Sequence, residues 1–214
     1  MKIWETGYMD ADELLKRYCA GERNFTQVSL HSTNLSEVCL AGINLDRANL
    51  AQSSLSQANL RGANLIEANL SAASLWRTDL SGATLIWANL KRANLIRATL
   101  TKVDLHKASL AKADLRLANL RDADLSGADL TGADLRYANL SGAFLAGANL
   151  NGANLTGADL SKADLSYTNL AKALLFKTNL SYVDFTEVDL TKVDLRYCLL
   201  NKEALPQRDL VEAG

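Results

Sequence analysis

A chain of 214 residues that is 48% apolar, with 23 basic against 24 acidic side chains and a net charge of -1, has enough apolar material for a sizeable core. It is neither a basic nucleic-acid binder nor a strongly acidic protein, and no run of about 18 apolar residues suggests a spanning helix. Cys19, Cys39 and Cys198 lie far apart without a CxxC pair, so reduced thiols and a cytoplasmic location are expected.

The opening, MKIWETGYMDADE, lacks a basic stretch followed by an apolar one, so no secretion signal is expected. Residues 1–22 form the first unit. Residues 1–8 are expected to be an unanchored extension. Asp10 followed three residues on by Glu13 reads as a capping box, and Gly21 suits a helix stop. Leu14, Leu15 and Tyr18 share one face of that helix and can cover the segment that begins around Phe25.

Residues 23–202 form the second unit, in which every fifth residue from Phe25 to Leu200 is Leu, except for Phe25 and Phe185. Two residues before each of these centres the side chain is small or β-branched, most often Ala, with Arg23 the exception. The residue just before the centre is usually Asn or Asp, and the position two after it holds most of the glycines. A helix loses phase with a period of five within two turns, and a strand sends alternate repeats to opposite faces. The chain must therefore turn at every repeat so that all centres point to one axis. Asn and Asp can bond neighbouring backbone groups at such turns, and Gly tolerates their dihedral angles. Residues 203–214 form the third unit, where Leu205, Leu210 and Val211 offer a short apolar lid.

The motif A(D/N)LXX over residues 23–202 resembles the pentapeptide-repeat family, and DELLKRYCAGERNF is similar to the start of cyanobacterial members. The resemblance implies an all-β solenoid, a right-handed quadrilateral β-helix with four pentapeptides to a coil. About nine coils stacked at the ladder spacing of about 4.8 Å would give a rod roughly 40 Å long, with the helix of the first unit as its N-terminal cap.

If residues 20 apart stack, the outward residues sort onto faces. The face centred on Leu35, Leu55 and Leu75 collects Trp76, Arg77, Ile96, Arg97, Arg116, Leu117, Arg136 and Tyr137, residue types enriched at protein interfaces. Asp114, Asp134 and Asp194 on the same face argue against nucleic acid. The face centred on Phe25, Leu45 and Leu65 carries Asp104, Asp124, Asp164 and Asp184 beside Trp87 and Phe144. Carboxylates one rung apart repel, so this ladder is either held by backbone donors or kept for a basic partner. Phe144, Leu174 and Leu199 put apolar side chains where Asn or Asp is usual.

No chemistry-bearing motif accompanies the repeat. His31 and His106 fall on different faces, and there is no Ser/His/Asp grouping, GxGxxG or phosphate loop. A filled core leaves no concave site. No enzyme activity, cofactor, metal, small-molecule substrate or membrane is therefore expected. The expected role is that of a scaffold that binds a protein partner, as a monomer or an end-to-end dimer. The family resemblance implies an alternative, a DNA-mimicking protector of a type II topoisomerase such as gyrase.

Overall fold

The computed structural model describes residues 9–191 and 193–201. The expected extension (residues 1–8) and the expected lid with Leu205, Leu210 and Val211 lie outside the described residues.

Parallel backbone pairing runs in a register of 20 residues. Asn24 bridges Asn44, Asn44 bridges Asn64, and the pattern continues unbroken to Asp159 and Asn179; beyond it the described bridge is that of Asn179 with Leu199. Four repeats thus complete one coil with four sides. Side A is centred on Phe25, Leu45 and Leu65 onward, and sides B, C and D on the series from Leu30, Leu35 and Leu40. Among the described residues the pairing consists of isolated bridges, with no strand, which corrects the all-β expectation in detail. A side has only three extended residues between corners, too short a run for a strand.

Each corner is a four-residue turn. The Ala48 N–H donates to the Leu45 carbonyl at 3.0 Å, and Arg47, the third residue, has φ +55. Positive φ at that position alone defines a type II turn. The same left-handed residue recurs at every corner from Gln27 to Tyr182, and 23 of them are not glycine. A side chain at such a φ costs about 1 kcal/mol, so the ladder outweighs local preference at most corners. Gly157 has a second reason: a Cβ there would lie 2.6 Å from the Tyr137 ring, which rests over it.

The hydrogen bonds account for all five amides of a repeat. The Leu45 N–H donates to the Asn64 carbonyl one coil on, and the Arg47 N–H to that of Ile66. The Ala48 N–H closes the turn, and the Asn49 N–H reaches back to the Val28 carbonyl. Only the first corner residue is left over. Its amide, in Asp46, donates to the side-chain Oδ1 of Asn44 at 3.1 Å. The same bond forms after Asn69, Asn89, Asp124, Asp164 and Asn169, at 2.9–3.2 Å. Stacked asparagines add a rung bond, as from Asn89 Nδ2 to Asn69 Oδ1 at 3.1 Å. An aspartate has no N–H to make one.

The centre leucines and the alanines two before them fill the axis and are almost wholly buried from Leu45 to Leu165. Where Thr replaces Ala, its hydroxyl donates to a leucine carbonyl of the coil before, as Thr78 does to Leu55 at 2.6 Å and Thr178 to Leu155 at 2.8 Å. Toward the C-terminal end the packing loosens: Val188, Leu190, Val193, Leu195 and Leu200 are only partly buried. Register also slips there, since the Tyr167 N–H bonds the Glu187 carbonyl where the pattern calls for Thr186.

Helix α1 (Ala11–Cys19) starts at Asp10, whose carboxylate accepts from the Glu13 N–H at 2.8 Å, and it ends before Gly21 at φ +98. Leu14 is fully buried in the core, with Leu15 and Tyr18 packed beside it. The Tyr18 hydroxyl donates to the Ala41 carbonyl at 2.8 Å.

Asn69→Ala should lower stability by about 1–2 kcal/mol in urea unfolding, because it strands the Ser71 amide and removes the rung bond to Asn89. Asn69→Asp, which keeps the acceptor for Ser71, should cost less.

Candidate functional site

The outward positions of each repeat are the residue before the centre and the two corner residues after it. Side C, lying between the corner that follows side B and its own corner, therefore presents three columns. The first runs Asn94, Asp114, Asp134, Asn154, Leu174 and Asp194; the corner columns hold Trp76, Ile96, Arg116, Arg136 and Phe176, then Arg77, Arg97, Leu117, Tyr137 and Tyr197. The eight residues expected there, from Trp76 to Tyr137, thus share one side and its corner.

Their chemistry differs within the set. Arg116 grips Asp114 through two nitrogens at 2.8 and 2.7 Å, Arg136 grips Asp134 through two at 2.9 and 2.6 Å, and Arg196 does the same to Asp194. These bidentate hydrogen bonds hold the Asp134 carboxyl below its usual range and bring that of Asp194 to about 2. Arg116 and Arg136 are therefore occupied within their own repeats. Arg77 lies over the Trp76 ring at 4.7 Å, and neither it nor Arg97 forms an ion pair. Among the apolar members Leu117 is 48% and Tyr137 63% exposed, the Tyr137 ring lying over Gly157, whereas Trp76 and Ile96 are half-buried. Leu174, Phe176 and Tyr197 continue the exposed apolar strip toward the C-terminal end, with the Phe176 and Tyr197 rings edge to face at 5.2 Å.

On side A, Asp104, Asp124 and Asp164 stand in one column interrupted by Phe144, and Asp184 follows where the register has slipped. Each accepts an amide of its own corner, from His106, Ser126, Ser166 and Thr186, at 2.9–3.0 Å. The first of the two expectations, backbone donors, accounts for their position. None of the four has a cationic partner; Arg47 pairs with Glu67 at 3.0 Å, and Lys107 lies over the Trp87 ring at 4.9 Å. Phe144 is 52% exposed and offers no acceptor to the Ala146 amide.

Sorting by faces misses a feature that reads along the chain. Arg92, Arg97, Lys102, Lys107 and Lys112 occupy five consecutive corners, with Lys91 and Arg77 beside them, and none of the seven has a carboxylate partner. A basic residue at every fifth position is the signal in the sequence.

No group of three or more His, Cys, Asp or Glu among the described residues could hold a metal, and no helix is long and apolar enough to cross a membrane. An open cleft of about 340 Å³ lies where the register slips, between Tyr167 and Leu170 on one lip and Glu187 and Asp189 on the other. Burial pushes the Cys198 thiol up to about 11, which keeps it in its unreactive protonated form.

A family model for pentapeptide repeats matches in eight overlapping copies between residues 43 and 202. Among solved structures the chain is similar to HetL, a pentapeptide repeat protein involved in heterocyst differentiation regulation from the cyanobacterium Nostoc sp. strain PCC 7120. The two are 37% identical over 93% of this chain and 100% of HetL, with a TM-score of 0.56. It is also similar to trypsin-treated QnrB1, a plasmid-mediated fluoroquinolone resistance protein, at 18% identity over 88% of this chain and 94% of that one, with a TM-score of 0.71. That second likeness is one of fold: the right-handed quadrilateral β-helix. No functionally curated protein matches the chain.

Two outcomes follow. Phe144→Asn should raise stability by about 1 kcal/mol, since it gives the Ala146 amide an acceptor; urea unfolding reads this. Asp194 has its folded pKa depressed, so its contribution is present above the unfolded value near 4 and is lost as pH falls through about 2. The stability advantage of the parent over Asp194→Asn should be constant above about pH 5 and shrink steadily from pH 4 to pH 2.

Proposed function

Because the chain belongs to the pentapeptide-repeat family, with a solenoid core running from Phe25 to the C-terminal coils, we propose that it is a non-catalytic scaffold that docks a protein partner on side C. In this reading the repeat makes about nine coils, and α1, with Asp10, Glu13, Leu14, Leu15 and Tyr18, closes the N-terminal end of the core. The observation that carries the docking side is the strip of exposed apolar residues Leu117, Tyr137, Leu174, Phe176 and Tyr197. Nothing in the coil requires them. Elsewhere in the rod the corner positions hold Gly, Ser, Thr, Gln or Lys, and the position of Leu174 holds Asn, Asp, Ser or Thr, within the same ladder. Exposed aromatic and aliphatic groups aligned on one rigid wall form the centre of a protein interface, with the self-paired arginines as a neutral polar rim. HetL supports a regulatory role, being involved in regulation of heterocyst differentiation at 37% identity.

A second reading rests on the four aspartates of side A that lack cationic partners: docking of a basic surface, as a DNA-mimicking protector of a type II topoisomerase would. The net charge of -1 and the confinement of net negative charge to one side favour the first reading.

The test is capture from an extract of the source cells with three forms of the rod: the parent, a Leu117→Ser/Tyr137→Ser variant, and an Asp124→Asn/Asp164→Asn variant. A protein retained by the parent and the aspartate variant but lost from the side C variant supports the proposal. Loss from the aspartate variant alone moves the site to side A. Equal retention by all three contradicts both readings.

A further inference from the structure

The cations on and around side C divide into two groups. Arg116, Arg136 and Arg196 each have an aspartate two residues earlier and are neutralised by it. Arg77, Lys91, Arg92, Arg97 and Lys112 have none, and all five are exposed. Their placement follows from chain order. The side centred on Leu95 runs from the corner Lys91–Arg92 to the corner Ile96–Arg97, with Asn94 facing out between them. One rung toward the C-terminus, Lys112 stands over Arg92; one rung toward the N-terminus, Arg77 stands under Arg97.

Both edges of this stretch of wall are thus cationic; its floor is neutral at Ser74 and Asn94, and on the rung of Lys112 it holds Asp114, whose charge Arg116 offsets. Like charges about 4.8 Å apart along an edge repel one another, and the fold gains no ion pair in return. Elsewhere an arginine at the first corner position is neutralised by the Asp two residues before it, as Arg116 is by Asp114 and Arg136 by Asp134; Arg77, Arg92 and Arg97, at the second corner position, have no such carboxylate.

We infer that this stretch of side C, framed by Arg77, Lys91, Arg92, Arg97 and Lys112, docks an acidic segment of the partner protein, with the apolar residues of that segment meeting Ile96, Leu117 and Tyr137. The inference rests on the docking of a protein on side C and adds the chemistry of the partner. Carboxylates placed between the two edges would take the bidentate geometry that Asp114 and Asp134 take with Arg116 and Arg136, at 2.6–2.9 Å. A protein segment fits better than a nucleic acid strand. The one tryptophan beside the patch already has the Arg77 guanidinium over its ring, leaving that face closed to a base.

The experiment measures fluorescence anisotropy of the full chain with three labelled probes: a peptide of repeating Glu-Glu-Leu, a peptide of repeating Lys-Lys-Leu of equal length, and an oligodeoxythymidine strand. The variant is Lys91→Gln/Arg92→Gln/Arg97→Gln; Gln already occupies the left-handed corner position of Arg92 and Arg97 at Gln27, Gln52 and Gln57, and Lys91 is the exposed first residue of its corner, so the coil accommodates the change. The control is Lys102→Gln, an exposed cation at a left-handed corner away from side C. The Glu-Glu-Leu peptide should bind the parent, weaken as salt rises from about 0.05 to 0.5 M, and lose about tenfold or more in affinity on the triple variant but not on the control. The triple variant should melt at or above the parent temperature, because like charges have been removed.

Failure of the Glu-Glu-Leu peptide to bind the parent, or equal binding to the triple variant, overturns the inference. So does tighter binding of the oligonucleotide, which would assign the patch to nucleic acid. If the cellular partner is lost from the Leu117→Ser/Tyr137→Ser form yet kept by the triple variant, only this inference fails. If both forms keep it, the docking reading of side C falls as well.

Discussion

The rest of the structure depends on one amide per repeat. Four of every five backbone N–H groups find a carbonyl through the turn or the 20-residue ladder, and the fifth points at the side chain two residues before it. An unpaired amide in a packed wall costs about 1–3 kcal/mol. Asn and Asp are the residues whose Oδ1 reaches that amide at 2.9–3.2 Å, and this explains their place in the repeat better than turn preference alone. The Leu and Ala of the axis supply the apolar burial; the Asn or Asp closes the hydrogen-bond network that lets the coil repeat.

This division frees the surface. Inward positions are restricted by space, and the residue before the centre by the fifth amide. Both corner residues are restricted only by backbone angle, and the chain tolerates a left-handed φ at Arg, Lys, Trp, Tyr and Leu corners alike. The corners can therefore carry any chemistry, and here they carry aromatic, aliphatic and cationic groups in runs. Phe144, Leu174 and Leu199 go further, since each takes an apolar group at the position that serves the amide. A residue that gives up a stabilising bond on an exposed wall points to a use beyond stability.

Much of this was legible in the sequence, and the gaps have physical causes. The period of five fixes which residues face inward, so the core from Leu45 to Leu165 could be named in advance, as could the helix start at Asp10 and its stop at Gly21. The period does not fix how many sides close a coil; that appears only in the pairing of Asn44 with Asn64. Arg116 and Arg136 look like free interface arginines when each face is summed for charge. The aspartate two residues before each neutralises it, a local relation that such a sum hides. The run of cations from Arg92 to Lys112 stayed out of sight for the opposite reason, because sorting by side splits what consecutive corners keep together. Around Val188 and Leu195 the period of five continues while the ladder lapses; the sign in the motif is at the inward position, where Val183, Val188, Val193 and Cys198 replace the usual Ala.

Residue-resolved hydrogen exchange of the free rod tests the central claim most directly. The amides of Ile66, Lys91 and Ser126, which follow Asn64, Asn89 and Asp124, should exchange slowly, whereas that of Ala146, which follows Phe144, should exchange at least about tenfold faster despite equally regular neighbours. Equal protection of Ala146 would show that the side-chain acceptor does not hold the fifth amide and would contradict the account.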